Sequence, residues 1–365
     1  MPARLTSVEL ARDLALRDLT DPAEGPHAVQ LVVHHAVAAL ADLWGCEVRW
    51  WRGDRIVTIA DNYDNLGYDS ADVTRDARYT RYVDDCRMLR SHSSAMIPAA
   101  LRALADDPVD DVLLVCPGIV HRRDAIDRLH TGNPHQLDLW RITRRTPPMA
   151  DADLDAMITG LLGALVPGSV DRREARTHSY TVAGRQVDVA RDGEWVEVAE
   201  CGLAGPTVLG TAGLDATWSG LALGLGLDRM LMLLKGIPDI RLLRSADPAV
   251  VAQLTDLARY RPVSTRPPIR RDISIAADAG SLAEDLGDRV RYALGDDAAC
   301  VESVEILSET PCAALPAEAL ARLGARVDQT NILVRVVLRH LDRTLTDHDA
   351  NALRDRIYVA LHEGG

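Results

Sequence analysis

The chain has 365 residues with 41 basic and 54 acidic side chains, a formal charge of −13. That length predicts two or three domains at roughly 100–200 residues each. A composition that is 47% hydrophobic and 26% charged excludes disordered and collagen-like classes, and no apolar run approaches the roughly 18 residues of a membrane span.

Val29 to Leu43 (VQLVVHHAVAALADL) carries its apolar residues at helical spacing, and EVRWWRGDRIVTIA after it reads as two short strands around a Gly-Asp turn. A polar, tyrosine-bearing stretch follows. Asp110–Val115 is a buried strand ended by the turn signal Cys116-Pro117-Gly118, and His135–Thr143 alternates like a second strand. Asp151–Val166 is an amphipathic helix closed by Pro167-Gly168. Strands resume at TVAGRQVDVA and EWVEVAECG, and GLALGLGLDRMLMLLKG then runs into a helix.

Near Tyr260-Arg261-Pro262 the composition shifts to an arginine and proline linker. The pattern then restarts as strand, helix (Ser281–Leu294), strand, strand, helix (Asp347–His362), most of a split β-α-β unit on the ferredoxin-like plan. Two domains are expected, residues 1–250 and 251–365 with the linker in the second, the boundary lying within 245–262.

Six cysteines (Cys46, Cys86, Cys116, Cys201, Cys300, Cys312) lack any CxxC pair, so neither a disulfide framework nor a zinc cluster has its spacing. They read as reduced, mostly buried thiols. The N-terminus mixes acids with its arginines and has no apolar h-region, which fits neither a secretory signal nor a transit peptide. A soluble, cytoplasmic chain without membrane contact is expected. The acidic balance argues against bulk nucleic-acid binding but permits a local arginine surface.

The most informative segment is Gly220–Arg229, GLALGLGLDR. Its glycines permit close approach by a backbone or a flat ligand, and an arginine follows at a helix start; a glycine-rich strand packed on a helix gives the same pattern. No GK[ST] follows, so it is not a Walker loop, and the acid that a dinucleotide site places about 20 residues on is missing.

With GIPDIRLLRS (Gly236–Ser245), this segment resembles motif 3 of a class II aminoacyl-tRNA synthetase, specifically the phenylalanyl-tRNA synthetase catalytic chain. The resemblance continues in family order. Glu197 in EWVEVAECGLAGPTVL matches a strand carrying a catalytic glutamate. PGIVHRRDAIDRLHTGNPHQLD is similar to motif 2, with Arg122 and Asp124 at its R-x-E positions, then His130, and His135, Gln136 and Asp138 as its H-Q-x-E. MLRSHSSA resembles the L-R-x-H-T-S segment and gives His92 and Ser94. YRPVSTRPPIRRDIS and LDRTLTDHDANALRDRI resemble the ferredoxin-like anticodon-binding domain.

The implied fold is α+β, a class II antiparallel sheet core flanked by helices plus a ferredoxin-like C-terminal domain. The implied reaction joins an aromatic amino acid to tRNA at the expense of ATP with Mg2+, in a monomer or homodimer. Arg122 and Arg229, permanently charged planar forks, would meet the phosphates, with Asp124 and His130 as further ATP contacts. Glu197 would hold the Mg2+. Gln136 and Asp138 would meet the substrate ammonium, and His92, Ser94, His178, Tyr180 and Ala222 would line the amino-acid pocket. Arg266, Arg270 and Arg271 would contact tRNA, although a solvated linker reads the same way.

Several positions depart from the family. Its F-P-F-T-E-P-S segment is here His178-Ser179-Tyr180-Thr181-Val182-Ala183-Gly184, which replaces two phenylalanine walls with polar rings. Pro134 replaces the phenylalanine expected to stack on adenine, Asp124 and Asp138 are each one methylene short, and Glu200 stands where a glycine precedes Cys201. No segment matches motif 1. Two readings follow: an aminoacyl-tRNA ligase for phenylalanine or a more polar aromatic relative, and a catalytically weak paralogue that binds tRNA or an amino acid. The chain contains no phenylalanine at all, and its only lysine is Lys235. Such a protein can be translated when phenylalanyl-tRNA is scarce; drift in a GC-rich genome is the alternative.

Overall fold

The computed structural model describes residues 4–75, 80–191, 193–263 and 266–364. Contacts gather the chain into two units that interleave in sequence. The first holds Met1–Arg122, Asn133–Ile237 and Gln253–Tyr260, and the second Arg123–Gly132, Pro238–Ala252 and Arg261–Gly365.

The first unit is built on a seven-stranded sheet of β1 (Glu47–Trp50), β4 (Asp111–Ile119), β5 (His135–Thr143), β9 (Ser219–Gly226), β8 (Glu194–Ala204), β7 (Thr181–Arg191) and β6 (Asp171–Ala175), in that order across the sheet. Only β1 and β4 run parallel; every other pair is antiparallel. A small two-stranded sheet joins β2 (Ile56–Thr58) to β3 (Arg87–Leu89). The two strands read around Gly53-Asp54 therefore exist but enter different sheets.

The turn expected at Cys116-Pro117-Gly118 is not there, because β4 continues to Ile119. Trp51 N–H reaches the Val115 carbonyl at 2.9 Å as the last contact from the β1 side. Pro117 points the same way two residues on, past the end of β1, where its missing N–H breaks no ladder. Gly118 is required by a neighbour: a Cβ there would lie 2.1 Å from the Arg90 guanidinium.

Paired residues share a face of the sheet, so the register sets the composition of each surface. On one face β9 presents only Gly220, Ala222, Gly224 and Gly226, opposite Ile142, Trp140, Asp138 and Gln136 of β5. On its other side Glu200 and Gly202 of β8 sit opposite Gly224 and Ala222. Leu221, Leu223 and Leu225 fill the reverse face and are buried. Trp140 and Ala222 continue into a core with Ile97, Leu101 and Leu104 of the helix Ile97–Asp106, so one end of the small-residue floor is closed by packing. The helix Ala28–Trp44 packs on the helices Asp151–Leu165 and Leu227–Lys235. Lys235, fully buried, ends the last of these by donating to the carbonyls of Asp256 (2.9 Å) and Ala258 (2.6 Å).

The second unit carries a three-stranded antiparallel sheet ordered β10 (Ile269–Ala277), β12 (Thr330–Leu338), β11 (Val301–Pro311). β12 lies between β10 and β11, which the helix Ala283–Leu294 connects; that is a split β-α-β, with the helix Asp347–Leu361 following β12. Ile126 belongs to this core with Ile273, Ile275 and Val290. Glu302, 4% exposed, gathers Arg128 (2.7 Å), Arg339 (2.6 Å) and Arg241 (3.8 Å), so the separated segments 123–132 and 238–252 are fastened to the unit by one carboxylate.

The six cysteines are free; Cys116, Cys201, Cys300 and Cys312 are buried and Cys86 is exposed. Among the described residues, no helix is long and apolar enough to cross a membrane.

Candidate active site

The glycine face of β9 is the floor on which the polar residues of the first unit collect. At its centre Asp138, 1% exposed, accepts from Ser93 Oγ at 2.5 Å and from Trp140 Nε1 at 3.1 Å. Burial pushes its carboxyl up to about 6, although the bonds from Ser93, Trp140 and Ser94 pull the other way. Gln136 Oε1 accepts from Ser93 N–H at 3.0 Å, which locks the 93–96 turn to β5.

His92 stands at the start of that turn. Its Nε2 lies 3.4 Å from Asn62 Nδ2, and Asn62 is itself held by Ser91 at 2.9 and 3.1 Å. Burial holds the imidazole down to about 4, so it is neutral at physiological pH. Its ring stacks on Tyr68 (5.7 Å, 20°), with Tyr63 edge-on at 6.2 Å. A second stack faces the floor: His178 on Tyr180 (5.8 Å) and Tyr180 on Trp140 (5.9 Å). Tyr68 meets Tyr180 at 6.4 Å, which brings the two stacks together.

Glu200 completes this wall. His178 Nε2 lies 3.4 Å and Arg176 Nε 3.9 Å from its Oε1. Burial raises its carboxyl, but His178, Arg176 and the charge of Arg122 outweigh that and hold it below the usual carboxylate range. The charge of Arg122 is felt by both Glu200 and His92.

Farther along β8, Glu197 is half-exposed and meets Arg229 Nη1 at 3.7 Å. Arg229 occupies the first turn of the helix Leu227–Lys235, and His135 fixes that turn. His135 Nε2 accepts from Leu19 N–H at 3.1 Å, so Nδ1 carries the proton donated to Asp228 at 2.9 Å. Across the pair, Asp188 faces Glu197 but is engaged by Arg172 and Gln186. Among the described residues, no group of three or more His, Cys, Asp or Glu side chains is arranged around a metal.

The structure thus gathers His92, Ser94, Gln136, Asp138, His178, Tyr180 and Ala222 on one face of the sheet, with the charge of Arg122 felt by Glu200 and His92 and with Glu197 of β8 paired to Arg229 of the helix Leu227–Lys235. Asp124 and His130 belong to the second unit, where the Asp124 carbonyl accepts from Arg291 and His130 Nδ1 pairs with Asp127 at 2.7 Å. In that unit Arg270 is exposed, Arg266 reaches Thr344 at 3.4 Å, and Arg271 is committed to Asn351 (3.0 Å) and Asp347 (2.8 Å).

Sequence reading missed Tyr68, Asn62, Ser93 and Arg90. Tyr68 and Asn62 lie in a polar stretch without periodicity, which gives no signal for a wall. The motif points to Ser94, whereas it is its neighbour Ser93 that bonds both Asp138 and Gln136.

Residues 23–254 match the family model described as tRNA synthetases class II core domain (F). The phenylalanine–tRNA ligase alpha subunit of Prochlorococcus marinus (strain MIT 9313) is 33% identical over 235 residues, covering 63% of this chain and 68% of that one. A chloroplastic/mitochondrial phenylalanine–tRNA ligase of Arabidopsis thaliana is 29% identical over 317 residues, covering 83% and 68%. A pyrrolysyl-tRNA synthetase structure from Desulfitobacterium hafniense aligns with 60% of this chain and 74% of its own at 16% identity and a TM-score of 0.48. The chain belongs to the class II tRNA synthetases, with the core domain of the phenylalanine-type branch.

Proposed function

We propose that the chain is an aminoacyl-tRNA ligase that activates phenylalanine or a related aromatic amino acid with ATP and transfers it to tRNA. The observation that carries this reading is the glycine face of β9: Gly224 and Gly226 leave a side-chain-free floor beside Asp138 and Gln136, and Arg229 and Glu197 form an ion pair farther along. An amino acid lying along that floor would have its ammonium near Gln136 and Asp138 and its ring between the Tyr68–His92 and His178–Tyr180 stacks.

Activation joins the substrate carboxylate to the α-phosphorus of ATP and releases pyrophosphate. Negative charge grows on the phosphoryl oxygens as the new bond forms. Arg122 and Arg229 would neutralise that charge with forked donors, and holding both reactants on a fixed sheet supplies the proximity. His92, neutral at physiological pH, adds no competing cation. Glu197 suits Mg2+: a half-exposed carboxylate, with no group of three or more His, Cys, Asp or Glu side chains around it among the described residues, fits an ion that keeps water and phosphate ligands. When bound, that ion neutralises the triphosphate. Arg266 and Arg270 would contact tRNA phosphates, with Arg271 bracing the β10 edge against Asp347. Asp124 and His130 are ATP contacts by resemblance alone.

ATP–pyrophosphate exchange driven by amino acids tests the reading. Phenylalanine or another aromatic amino acid should support exchange, and Arg122→Ala or Arg229→Ala should lower it by two orders of magnitude or more with the fold intact. Full exchange in either variant would remove that arginine from the chemistry.

A further inference from the structure

We propose that Glu200, backed by His178, selects the side chain of the amino acid, so that the pocket takes a flat ring carrying an O–H or N–H donor on its edge in preference to a plain phenyl ring. This rests on the reading above, in which the β9 face holds an amino acid. Glu200 and Asp138 stand on opposite sides of Gly224, because β8 and β5 both pair with β9 at that residue. A Cβ at Gly224 would come no closer than 3.9 Å to either strand's atoms, so the floor between the two acids is open.

The acids are not equivalent. Asp138 already has one oxygen bonded to Ser93 and the other to Trp140. Glu200 has His178 Nε2 at 3.4 Å and Arg176 Nε at 3.9 Å from Oε1, both ion-pair approaches, and among the described residues no hydrogen bond occupies Oε2. Glu200 is thus the acid with an acceptor to offer. Its surroundings are rings: His178 stacks on Tyr180, and its charge acts on the hydroxyls of Tyr68 and Tyr180 and on His92.

A plain phenyl ring closed over this carboxylate would strip its water and return no bond, which is costly. A ring O–H or N–H would replace the lost water with a charge-assisted bond. A site built around such a bond rejects the analogue that lacks it far more strongly than an apolar pocket rejects an extra methylene. His178 serves as a positioning residue, because its Nε2 lies 3.4 Å from Oε1, an approach that leaves Oε2 to the substrate.

The test compares kcat/KM in ATP–pyrophosphate exchange for phenylalanine, para- and meta-hydroxyphenylalanine and histidine, in wild type, Glu200→Gln and Glu200→Gly. Thermal stabilisation by each amino acid serves as a binding readout. A donor-bearing ring should be preferred by about tenfold or more in wild type. The ratio should collapse toward one in Glu200→Gln and turn toward phenylalanine in Glu200→Gly. Wild type preferring phenylalanine would overturn the inference and leave the ligase reading standing. An equal loss for every amino acid in Glu200→Gln would also overturn it, since that result belongs to a group that holds the common ammonium. Neither exchange nor stabilisation with any amino acid would remove the ligase reading, and this inference with it.

Discussion

Asp138 and His92 titrate across the same pH range with opposite consequences. Burial raises Asp138 from 3.8 to about 6, so the native state keeps a proton that the unfolded chain has lost. That contribution to stability is complete below pH 3.8 and disappears as pH rises to 6. Burial lowers His92 from 6.5 to about 4, so its contribution is complete above pH 6.5 and disappears as pH falls to 4. The two slopes oppose each other, and single variants should unmask them. In Asp138→Asn, Tm should fall more steeply than wild type on acidification from 6.5 to 4. In His92→Asn, Tm should instead fall as pH rises from 4 to 6. Slopes of the same sign in the two variants would refute the assignment. Both residues were legible through ordered motifs, whereas their environments were not. Nothing in LRSHSSA tells that Ser93 faces the acid while Arg90 turns away into the core, because that choice is made by the turn at 93–96 packing on β5.

The exchange between Gly118 and Arg90 shows what element-level reading can miss. Arg90, 2% exposed, donates to the carbonyls of Ile119 (2.8 Å) and Gly53 (2.9 Å), joining β4 to the segment after β1. The guanidinium occupies the space that a side chain at 118 would take. A Cys-Pro-Gly triplet looks like a turn because glycine and proline usually break strands. Here proline sits beyond the end of β1 and glycine admits a buried cation, and both causes lie in residues far along the chain. Gly118→Ala should therefore destabilise on the order of 3 kcal/mol, since the displaced arginine would keep its charge without its acceptors. Chemical denaturation checks this. A companion Arg90→Met should be far less sensitive to Gly118→Ala, because a flexible apolar chain can yield. Elements whose signals are local came through closely: β5 occupies the expected His135–Thr143, and the helix at Asp151 ends at Leu165, one residue short of the expected Val166.

At the scale of the whole molecule, the split β-α-β of the second unit was legible because strand and helix periods alternate cleanly after residue 268. Its recruitment of 123–132 and 238–252 was not, since Ile126 and Arg128 look like loop residues until Ile273 and Glu302 are in place. Deleting the C-terminal segment would strip Ile126 of its core, so point variants are the cleaner probe of RNA contact. Arg266→Glu with Arg270→Glu should weaken tRNA charging severalfold, more so at low salt, while amino-acid-dependent exchange stays at wild-type rate. Equal charging would free that surface of an RNA role. Composition carries the remaining expectation. A chain of 365 residues without phenylalanine departs from an average usage that would supply on the order of ten. The structure fills the vacated roles with other groups: Tyr68, Tyr180, Trp140, His92 and His178 make the ring contacts at the site, and leucines pack the reverse face of β9. Genomic drift accounts for the single lysine but leaves isoleucine and tyrosine throughout the chain, so drift alone does not reach phenylalanine selectively. Ribosomes starved of phenylalanyl-tRNA, or supplied with a mischarged one, would still complete this chain correctly. Its synthesis should therefore hold steady in source cells starved of phenylalanine or exposed to a phenylalanine analogue, relative to phenylalanine-containing proteins of similar abundance followed by pulse labelling. A decline in step with those proteins would assign the composition to drift.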